Sequence, residues 1–422
     1  PGVDVVTLTS NVGTVTKNTN GTWSWSLAST DGPDQTGIVT ITATDSDGAS
    51  TTTTFALTVN NVAPSVARDN AIVTVSEGTT ATNSGTWSDP GVDVVTLTTN
   101  VGTVTKNSGG TWTWSLATTD GPDQSGTVTI TATDSDGAST TTTFVLNVDN
   151  VAPLVTRDLG AVSGNEGTTI TNSGTWSDPG ADIVTLSTNV GTVTKNTNGT
   201  WSWSLNSTDG PDQTGTVTIT ATDSDGAATS VTFALTVNNV APSVAANSGS
   251  VSGNEGTTIT NSGTWSDPGV DTVTLTATVG TVTLNTNGTW SWSLASTDGP
   301  DQTGTVTITA TDSDGASTTT TFALTVNNVA PSVAANLGSV SGNEGTTITN
   351  SGTWSDPGVD TVTLTATVGT VTLNTNGTWS WSLASTDGPD QTGTVTITAT
   401  DSDGASTTTT FALTVNNVAP SV

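Results

Sequence analysis

The sequence repeats itself with a period of 89 residues. A Val-Ala-Pro tripeptide recurs at this spacing, and the last two complete copies differ at one position, Ser248 against Leu337. A period of this length is too long for a solenoid unit and suits a small domain that folds on its own. The sequence therefore predicts four complete domains, preceded by one that lacks its first quarter. The prolines that mark the period are Pro64, Pro153, Pro242, Pro331 and Pro420.

The predicted domain boundaries follow this tripeptide. Because Pro1-Gly2-Val3-Asp4 matches Pro90-Gly91-Val92-Asp93, the chain begins inside a motif, and we expect it to be part of a longer array. A signal peptide or anchor outside this segment stays open. The predicted repeats are repeat 1 at 1–63, repeat 2 at 64–152, repeat 3 at 153–241, repeat 4 at 242–330 and repeat 5 at 331–419, with the start of a further linker at 420–422.

Within a repeat, apolar and polar residues alternate with the period of a β-strand, and helical spacing is absent. In repeat 2, Trp112, Trp114 and Leu116 share one face of a predicted strand, and Phe144 and Leu146 share one face of another. One apolar face per strand predicts two sheets packed face to face. The predicted fold class is all-β, a tandem array of Ig-like antiparallel β-sandwich domains in an extended rod. The seven predicted strands of repeat 2, A to G, cover about 70–75, 79–88, 93–99, 103–107, 110–116, 126–133 and 138–148.

The tryptophan pair of strand E has two interpretations. Its rings could stack on a carbohydrate, or they could fill the core. The chain has 14 Trp but only 5 Phe and no Tyr or Met, so few other large side chains are available to fill a core. Core packing is therefore the favoured interpretation.

The net charge of −31, from 36 acidic and 5 basic residues, narrows the possible partners. Nucleic acid and anionic membrane surfaces are excluded, because binding them needs a basic patch. No apolar run approaches the ~20 residues of a membrane helix, so we expect no membrane insertion within this segment. The chain has no Cys and no His, which leaves carboxylate and amide oxygens as metal ligands. Such oxygens suit calcium.

Thirty-three of the 36 acidic residues lie in four motifs that recur with the period. A single Glu follows strand A, D-P-G-x-D follows B, D-G-P-D follows E and D-S-D-G follows F. Alternating strand direction places the Glu and D-G-P-D at the far end of a domain and the other two motifs at the near end. Each motif alone is ordinary turn chemistry. All four converge, however, where the far end of one repeat meets the near end of the next.

This convergence predicts calcium sites at the repeat junctions, each with oxygens enough for roughly two or three ions. The predicted ligands at junction 2/3 are Glu77, Asp120, Asp123, Asp149, Asn150, Asp178, Asp182, Asp223 and Asp225. Those at junction 3/4 are Glu166, Asp209, Asp212, Asn239, Asp267, Asp271, Asp312 and Asp314. Those at junction 4/5 are Glu255, Asp298, Asp301, Asn328, Asp356, Asp360, Asp401 and Asp403. Those at junction 1/2 are Asp31, Asp34, Asn61, Asp89, Asp93, Asp134 and Asp136.

The linker Asn60-Asn61-Val62-Ala63-Pro64 and its counterpart at 149–153 resemble the inter-domain linker of cadherins. The Glu after strand A, the Asp pair after B and the Asp after F also resemble the cadherin calcium scheme. The hairpin T-V-T-I-T-A-T-D-S-D-G-A-S resembles that of bacterial PKD-type repeats. The resemblance covers the whole chain and implies tandem Ig-like repeats of large secreted surface adhesins. The chain departs from cadherins in its D-G-P-D motif and in the linker Asn residues 238 and 327.

The predicted function is a structural stalk of an extracellular surface protein or fibre, with repeats made rigid by calcium and supporting cell adhesion or matrix. Its partners would be neighbouring repeats of the same chain and identical chains in a fibre. The alternative is a module that binds glycans or a surface through Thr-rich outer faces or the Trp pairs. An enzyme is disfavoured, because without His, Cys or Tyr a Ser nucleophile has no usual base, and five copies of one site at domain junctions make an odd active site.

Overall fold

The computed structural model describes residues 4–421. The motif remnant at residues 1–3 and the last residue of the predicted linker start, 422, lie outside the described residues. Within them all regular secondary structure is β, in 37 strands. No helix of the described residues is long and apolar enough to cross a membrane.

The chain forms two compact units. The first contains Pro1–Gly160, Thr171–Leu205 and Thr216–Phe233. The second contains Ala161–Ile170, Asn206–Gly215 and Ala234–Val422. The predicted ligands of junctions 1/2 and 2/3 therefore all lie in the first unit, and those of junctions 3/4 and 4/5 all lie in the second.

The strands recur with the period of the sequence. Repeat 1 contains β1 Thr7–Ser10, β2 Thr14–Lys17, β3 Trp23–Ser26, β4 Gly37–Thr44 and β5 Ser50–Leu57. Repeat 2 contains β6 Ser65–Arg68, β7 Ile72–Ser76, β8 Thr80–Ser88, β9 Thr96–Thr99, β10 Thr103–Lys106, β11 Thr111–Ala117, β12 Gly126–Thr133 and β13 Ser139–Asp149. Repeat 3 contains β14 Leu154–Val155, β15 Ala161–Asn165, β16 Thr169–Ser177, β17 Thr185–Thr188, β18 Thr192–Lys195, β19 Thr200–Asn206, β20 Gly215–Thr222 and β21 Ala228–Asn238.

Repeats 4 and 5 have the same eight strands. Repeat 4 contains β22 Ser243–Ala246, β23 Ser250–Asn254, β24 Thr258–Ser266, β25 Thr274–Ala277, β26 Thr281–Leu284, β27 Thr289–Ala295, β28 Gly304–Thr311 and β29 Ser317–Asn327. Repeat 5 contains β30 Ser332–Ala335, β31 Ser339–Asn343, β32 Thr347–Ser355, β33 Thr363–Ala366, β34 Thr370–Leu373, β35 Thr378–Ala384, β36 Gly393–Thr400 and β37 Ser406–Asn416.

Two four-stranded sheets form each complete sandwich. In repeat 2 one sheet has the order β10-β11-β8-β6 and the other β7-β13-β12-β9. Repeats 4 and 5 repeat this order, with β22-β24-β27-β26 and β23-β29-β28-β25 in repeat 4. The fold is therefore the predicted sandwich. The described pairings of repeat 3 follow the same scheme, with β14 antiparallel to β16 and β15 parallel to β21.

Each complete repeat differs from the prediction at its start, where a strand that was not predicted precedes the predicted first strand and lies in the other sheet. The strand predicted at about 70–75 corresponds to β7, and the added strand is β6. In repeat 2, β6 pairs antiparallel with β8, whereas β7 pairs parallel with β13. Between β6 and β7 the chain crosses from one sheet to the other. Asp69 N donates to Ser84 O at 2.8 Å in the first sheet, and Ala71 O accepts from Val145 N at 3.0 Å in the second. Each complete repeat thus has eight strands rather than about seven, and one strand pair is parallel.

The core of repeat 2 contains the predicted aromatic residues. Trp112 and Trp114 are buried, with 0% and 1% exposed. The Trp114 and Phe144 rings pack edge to face with centroids 5.0 Å apart. Both indole nitrogens donate to backbone carbonyls, Trp112 to Ala67 O at 3.1 Å and Trp114 to Val101 O at 2.7 Å. Core packing is therefore confirmed as the role of the tryptophan pair.

Candidate metal centres at the repeat junctions

Glu77 lies in the turn between β7 and β8 and is only 1% exposed. Its Oε2 accepts a hydrogen bond from Gly121 N at 2.9 Å, and its Oε1 accepts one from Val151 N at 2.8 Å. Its own amide donates to Asp149 O at 3.0 Å. The side chain therefore ties together the A–B turn, the loop after β11 and the linker to repeat 3. Glu166 and Glu255 make the same bonds and are equally buried.

The loop after β16, in repeat 3, brings two aspartates to the same place. Asp178 Oδ1 accepts from Gly180 N at 2.8 Å, and Asp182 Oδ1 accepts from Ser224 Oγ at 2.7 Å. The second oxygen of each carboxylate, Oδ2, is buried and has no hydrogen-bond partner. A buried oxygen acceptor without a partner costs free energy of desolvation, about 1–3 kcal/mol for a neutral group and more for a charged one.

A third unpartnered oxygen comes from the linker. Asn150 Nδ2 donates to Asp223 Oδ2 at 3.2 Å, which leaves Asn150 Oδ1 buried without a partner. The same trio recurs at the two following junctions, as Asn239 with Asp267 and Asp271, and as Asn328 with Asp356 and Asp360. At junction 1/2, where the sequence supplies no Glu, Asp89 Oδ2 is the one such oxygen found among the described residues.

Carboxylates of neighbouring repeats approach closely. Glu77, Asp120 and Asp182 each offer an oxygen, and the three oxygens lie within 4.8 Å of one another. Because calcium–oxygen distances are about 2.3–2.6 Å, two ligands of one ion are at most about 5 Å apart, so this spacing suits a shared cation. Groups with the same spacing but other combinations of the motif acids are Asp31–Asp93–Asp136 and Asp209–Asp271–Asp314, and Glu166–Asp267–Asp271 and Glu255–Asp356–Asp360.

The electrostatics of the junction are unfavourable as long as its charges are only negative. Burial raises the pKa of Asp178, and the charges of Asp182 and Asp223 raise it further against a hydrogen bond from Gly180 N that lowers it. Burial also raises the pKa of Asp120, with Asp182 across the junction and Asp123 adding to the effect. The same direction, with burial first, holds for the pKa values of Asp31, Asp136, Asp209, Asp225, Asp267, Asp298, Asp314, Asp356 and Asp403.

The D-S-D-G motif contributes one buried and one exposed carboxylate. Asp223 is 5% exposed and uses Oδ1 to accept from Ala227 N at 2.8 Å, which closes the hairpin. Asp225 is exposed. Its pKa is raised first by desolvation and then by the negative charges of Asp182, Asp120 and Asp123. Corresponding places are taken by buried Asp134, Asp312 and Asp401 and by exposed Asp136, Asp314 and Asp403.

Two kinds of predicted ligand lie apart from the buried oxygens. Asp123, at the end of D-G-P-D, is exposed at the rim, as are Asp34, Asp212 and Asp301. Asp149 lies outside the cluster, because it ends β13 with its exposed side chain opposite in direction to buried Val148. Strand alternation thus directs Asp149 to solvent, and the linker contributes Asn150 instead. At junction 1/2, Asn61 Nδ2 donates to Asp134 Oδ2 at 3.0 Å.

One set of junction contacts was not predicted from the sequence. The amide of the residue after D-P-G donates to a carbonyl of the preceding repeat, with Ala181 N to Thr119 O at 2.5 Å. Val92 N to Thr30 O, Val270 N to Thr208 O and Val359 N to Thr297 O are each 2.8 Å. These bonds join backbone atoms, so no residue type signals them. By contrast, the Ser of D-S-D-G donates to the second Asp of the D-P-G-x-D loop, as Ser224 does to Asp182. Its recurrence between two acids is a feature that the sequence does show.

Comparison with known proteins finds a family model that matches two of the repeats. Residues 238–325 and 327–414 each match the model described as "Bacterial Ig domain". No curated protein sequence matches the chain significantly. Similar solved structures include the titin I-band fragment I67–I69, at 12% identity and a TM-score of 0.33 over 63% of this chain and 99% of the fragment. Sidekick-1 domains 1–5 are 14% identical at a TM-score of 0.33, covering 98% of this chain and 95% of that one.

Protocadherin Gamma B2 cadherin domains 1–5 are 15% identical, with a TM-score of 0.31 over 99% of this chain and 94% of that one. TM-scores this low carry no argument about the fold. The assignment of the repeats as Ig-like rests on the family model, on the sequence period and on the sheet order. The matched residues cover β22 to β36 and most of β37, and repeats 2 and 3 carry the same motifs at the same period.

Proposed function

Since the chain is an array of tandem bacterial Ig-like repeats, we propose that it is a structural stalk of an extracellular surface protein or fibre. Calcium at the repeat junctions holds neighbouring repeats in a fixed orientation, which lets the array support adhesion or matrix contacts at a distance. The observation that carries this proposal is the recurring trio of buried, unpartnered oxygens: Asn150 Oδ1, Asp178 Oδ2 and Asp182 Oδ2 and their counterparts.

The donor chemistry favours calcium over other cations. Every candidate ligand is a carboxylate or amide oxygen, and each junction supplies several, with backbone carbonyls and water to complete a shell. Calcium accepts six to eight such ligands in flexible geometry, whereas magnesium demands near-octahedral geometry and keeps several waters. Extracellular calcium modules typically bind with dissociation constants of about 10⁻⁴–10⁻³ M. Sites in this range fill at the calcium concentration outside a cell and stay empty at that of the cytosol, so binding would follow export.

The competing function, a glycan-binding module, loses one of its two supports. The tryptophan pairs of the complete repeats are buried and offer no stacking surface, as Trp290 at 0% and Trp292 at 1% exposed illustrate. The Thr-rich outer faces remain, but residues such as Thr319 and Thr321 are β-formers on the exposed face of a strand, which explains them without a ligand.

The test measures calcium binding by titration calorimetry on the whole chain. The D356N/D360N variant should lose the sites of junction 4/5 alone, because it replaces the two acids that carry unpartnered oxygens there. The matched control is D45N/D47N, which removes two charges from a D-S-D-G hairpin in repeat 1. Asn at position 45 keeps the acceptor that Asp45 presents to Ala49 N at 2.9 Å.

We expect the first variant to bind fewer ions than the parent and the control to bind the same number. Calcium at 10–100 times its dissociation constant should stabilise a junction by about 1.4–2.7 kcal/mol per ion. A parent chain that binds no calcium at millimolar concentration would overturn the proposal. Equal losses in the two variants would do so as well.

A further inference from the structure

The glycine that follows each junction glutamate accommodates the next repeat. Gly78 has φ +70°, and a Cβ added to it would lie 2.7 Å from Pro179 O and 3.0 Å from Pro179 Cβ. The same contact recurs between Gly167 and Pro268 O, at 2.9 Å, and between Gly256 and Pro357 O, at 2.7 Å. The proline is the second residue of D-P-G-x-D, so this loop seats directly on the Glu-Gly turn.

Repeat 5 separates the two reasons for having glycine at this position. Gly345 has φ +74°, so its backbone conformation is that of Gly256 at +70°. A Cβ on Gly345, however, would meet nothing within 4 Å. In this structure only the positive φ constrains the residue at position 345, whereas in the three preceding repeats the glycine also leaves room for the proline of the next loop.

The loop that seats there has a glycine of its own facing the glutamate. A Cβ on Gly180 would lie 2.8 Å from Glu77 Oε2, and a Cβ on Gly358 would lie 2.9 Å from Glu255 Oε2. Next to it, the amide of Ala181 donates to Thr119 O in the preceding repeat, as the amide of Val359 does to Thr297 O at 2.8 Å. Two glycines thus permit close approach from both sides, and a backbone hydrogen bond closes the contact.

We propose that these contacts form a cation-independent interlock, in which the D-P-G loop of one repeat seats on the Glu-Gly turn of the preceding repeat and sets their orientation before calcium binds. The contacts use a proline ring, glycine backbones and an amide–carbonyl pair, none of which needs a metal ion. The partner that fits the turn is any repeat with a D-P-G-x-D loop at its near end. This inference goes beyond the proposed function, since it has backbone contacts set the orientation that calcium then holds.

The absence of cysteine from the chain allows a direct test, because two introduced cysteines become its only thiols. Ser291 and Ser380 are exposed, occupy equivalent places in β27 and β35, and lie on opposite sides of junction 4/5. Spin labels on S291C and S380C report the distance distribution across this junction. The distribution is recorded in EDTA and in calcium for the otherwise unchanged chain and for two added variants, G256A and G345A.

With the interlock, the unchanged chain keeps a narrow distribution in EDTA. G256A should broaden it by about twofold or more, because a Cβ that displaces Pro357 frees the linker. G345A brings the same backbone strain in a nearly identical repeat and should leave the distribution unchanged. A broad distribution in the unchanged chain in EDTA overturns the interlock without reference to any variant, as does equal broadening by G256A and G345A. If the distribution is narrow in EDTA but calorimetry finds no calcium binding, the interlock stands and the calcium proposal fails.

Discussion

Repeats 4 and 5 have the same sequence apart from Ser248 and Leu337, yet their glutamates lie in different environments. Glu255 is 1% exposed, under the Gly358 loop of the next repeat, whereas Glu344 is partly exposed. Their hydrogen bonds are nevertheless alike. Glu255 accepts from Gly299 N at 3.0 Å and Val329 N at 2.6 Å, and Glu344 accepts from Gly388 N at 2.9 Å and Val418 N at 2.7 Å.

The comparison separates what one repeat builds from what two repeats build together. The cradle of amides around the carboxylate belongs to a single repeat and its linker. Amides of Val418 and then Gly388 lower the pKa of Glu344, so the cradle by itself favours a charged carboxylate. In this structure Glu255 owes its burial and its close second carboxylate to the repeat that follows it, and among the described residues the buried unpartnered oxygens lie at junctions between repeats.

The largest expected effect comes from removing the glutamate. Glu255→Ala leaves the buried amides of Gly299 and Val329 without their acceptor, and should lower the free energy of unfolding by about 2–4 kcal/mol. Glu344→Ala should cost less, because water reaches the corresponding amides in repeat 5. The two variants are compared by urea unfolding in EDTA, monitored by tryptophan fluorescence. The quantity compared is the midpoint of the first unfolding transition, which reports the least stable repeat. Equal losses would show that the next repeat adds nothing to the role of the cradle.

An intermediate effect is expected from pH in the absence of calcium. Burial raises the pKa of Asp356 above its ordinary value of 3.8, with Asp360 and Asp401 adding to this, so the folded state binds its proton more tightly than the unfolded chain. The resulting stabilisation is present below the ordinary pKa and is lost as pH rises through the raised one. For Glu344, whose pKa is lowered, the stabilisation is present above its ordinary value of 4.5 and is lost as pH falls.

Melting curves in EDTA, recorded from roughly pH 7 to pH 3, test both directions, because the stabilisation from Glu344 is lost below its ordinary pKa of 4.5. Asp356→Asn should reduce the gain in melting temperature on acidification, whereas Glu344→Gln should reduce the opposing loss. In saturating calcium the gain should turn into a loss, because protons compete with the ion for the same oxygens. A D356N variant whose melting temperature gains at least as much on acidification in EDTA as that of the parent chain would contradict the first expectation.

The smallest effect is expected from the one sequence difference between the two repeats. Leu337 is 54% exposed, so Leu337→Ser should change the free energy of unfolding by no more than about 0.5 kcal/mol. Urea midpoints of the parent and this variant provide the measurement. A larger shift would mean that residue 337 contributes to the difference between the two repeats, in addition to the surroundings of their glutamates.

Several parts of the fold were predictable because they depend on side-chain polarity. The alternation around Trp112 and Trp114 identified the buried face of a strand, and the period of 89 residues identified the repeat. Strand parity also predicted which loops would meet, and the structure places Glu77 and Asp182 of adjoining repeats in one group of close oxygens. That these groups bind calcium stays a prediction.

Other features had no signal in residue type. The chain crosses from one sheet to the other at 69–71, between β6 and β7. This crossing depends on hydrogen-bond partners in both sheets, Ser84 in one and Val145 in the other. Asp149 is a residue type that binds calcium, but strand alternation after buried Val148 directs its side chain to solvent. The seat of Pro179 on Gly78 depends on distances between backbone atoms of two repeats.

By itself the sequence determined the repeat, the all-β class, the buried tryptophans and the four acidic motifs with their order along the chain. These follow from periodicity and polarity, which are local properties. Only the tertiary structure decided which oxygens are buried without partners, which acids remain at the rim and how closely one repeat approaches the next. The physical reason is that burial and close approach arise between segments far apart in the chain. Identical glutamates at 255 and 344 therefore differ according to whether another repeat covers them.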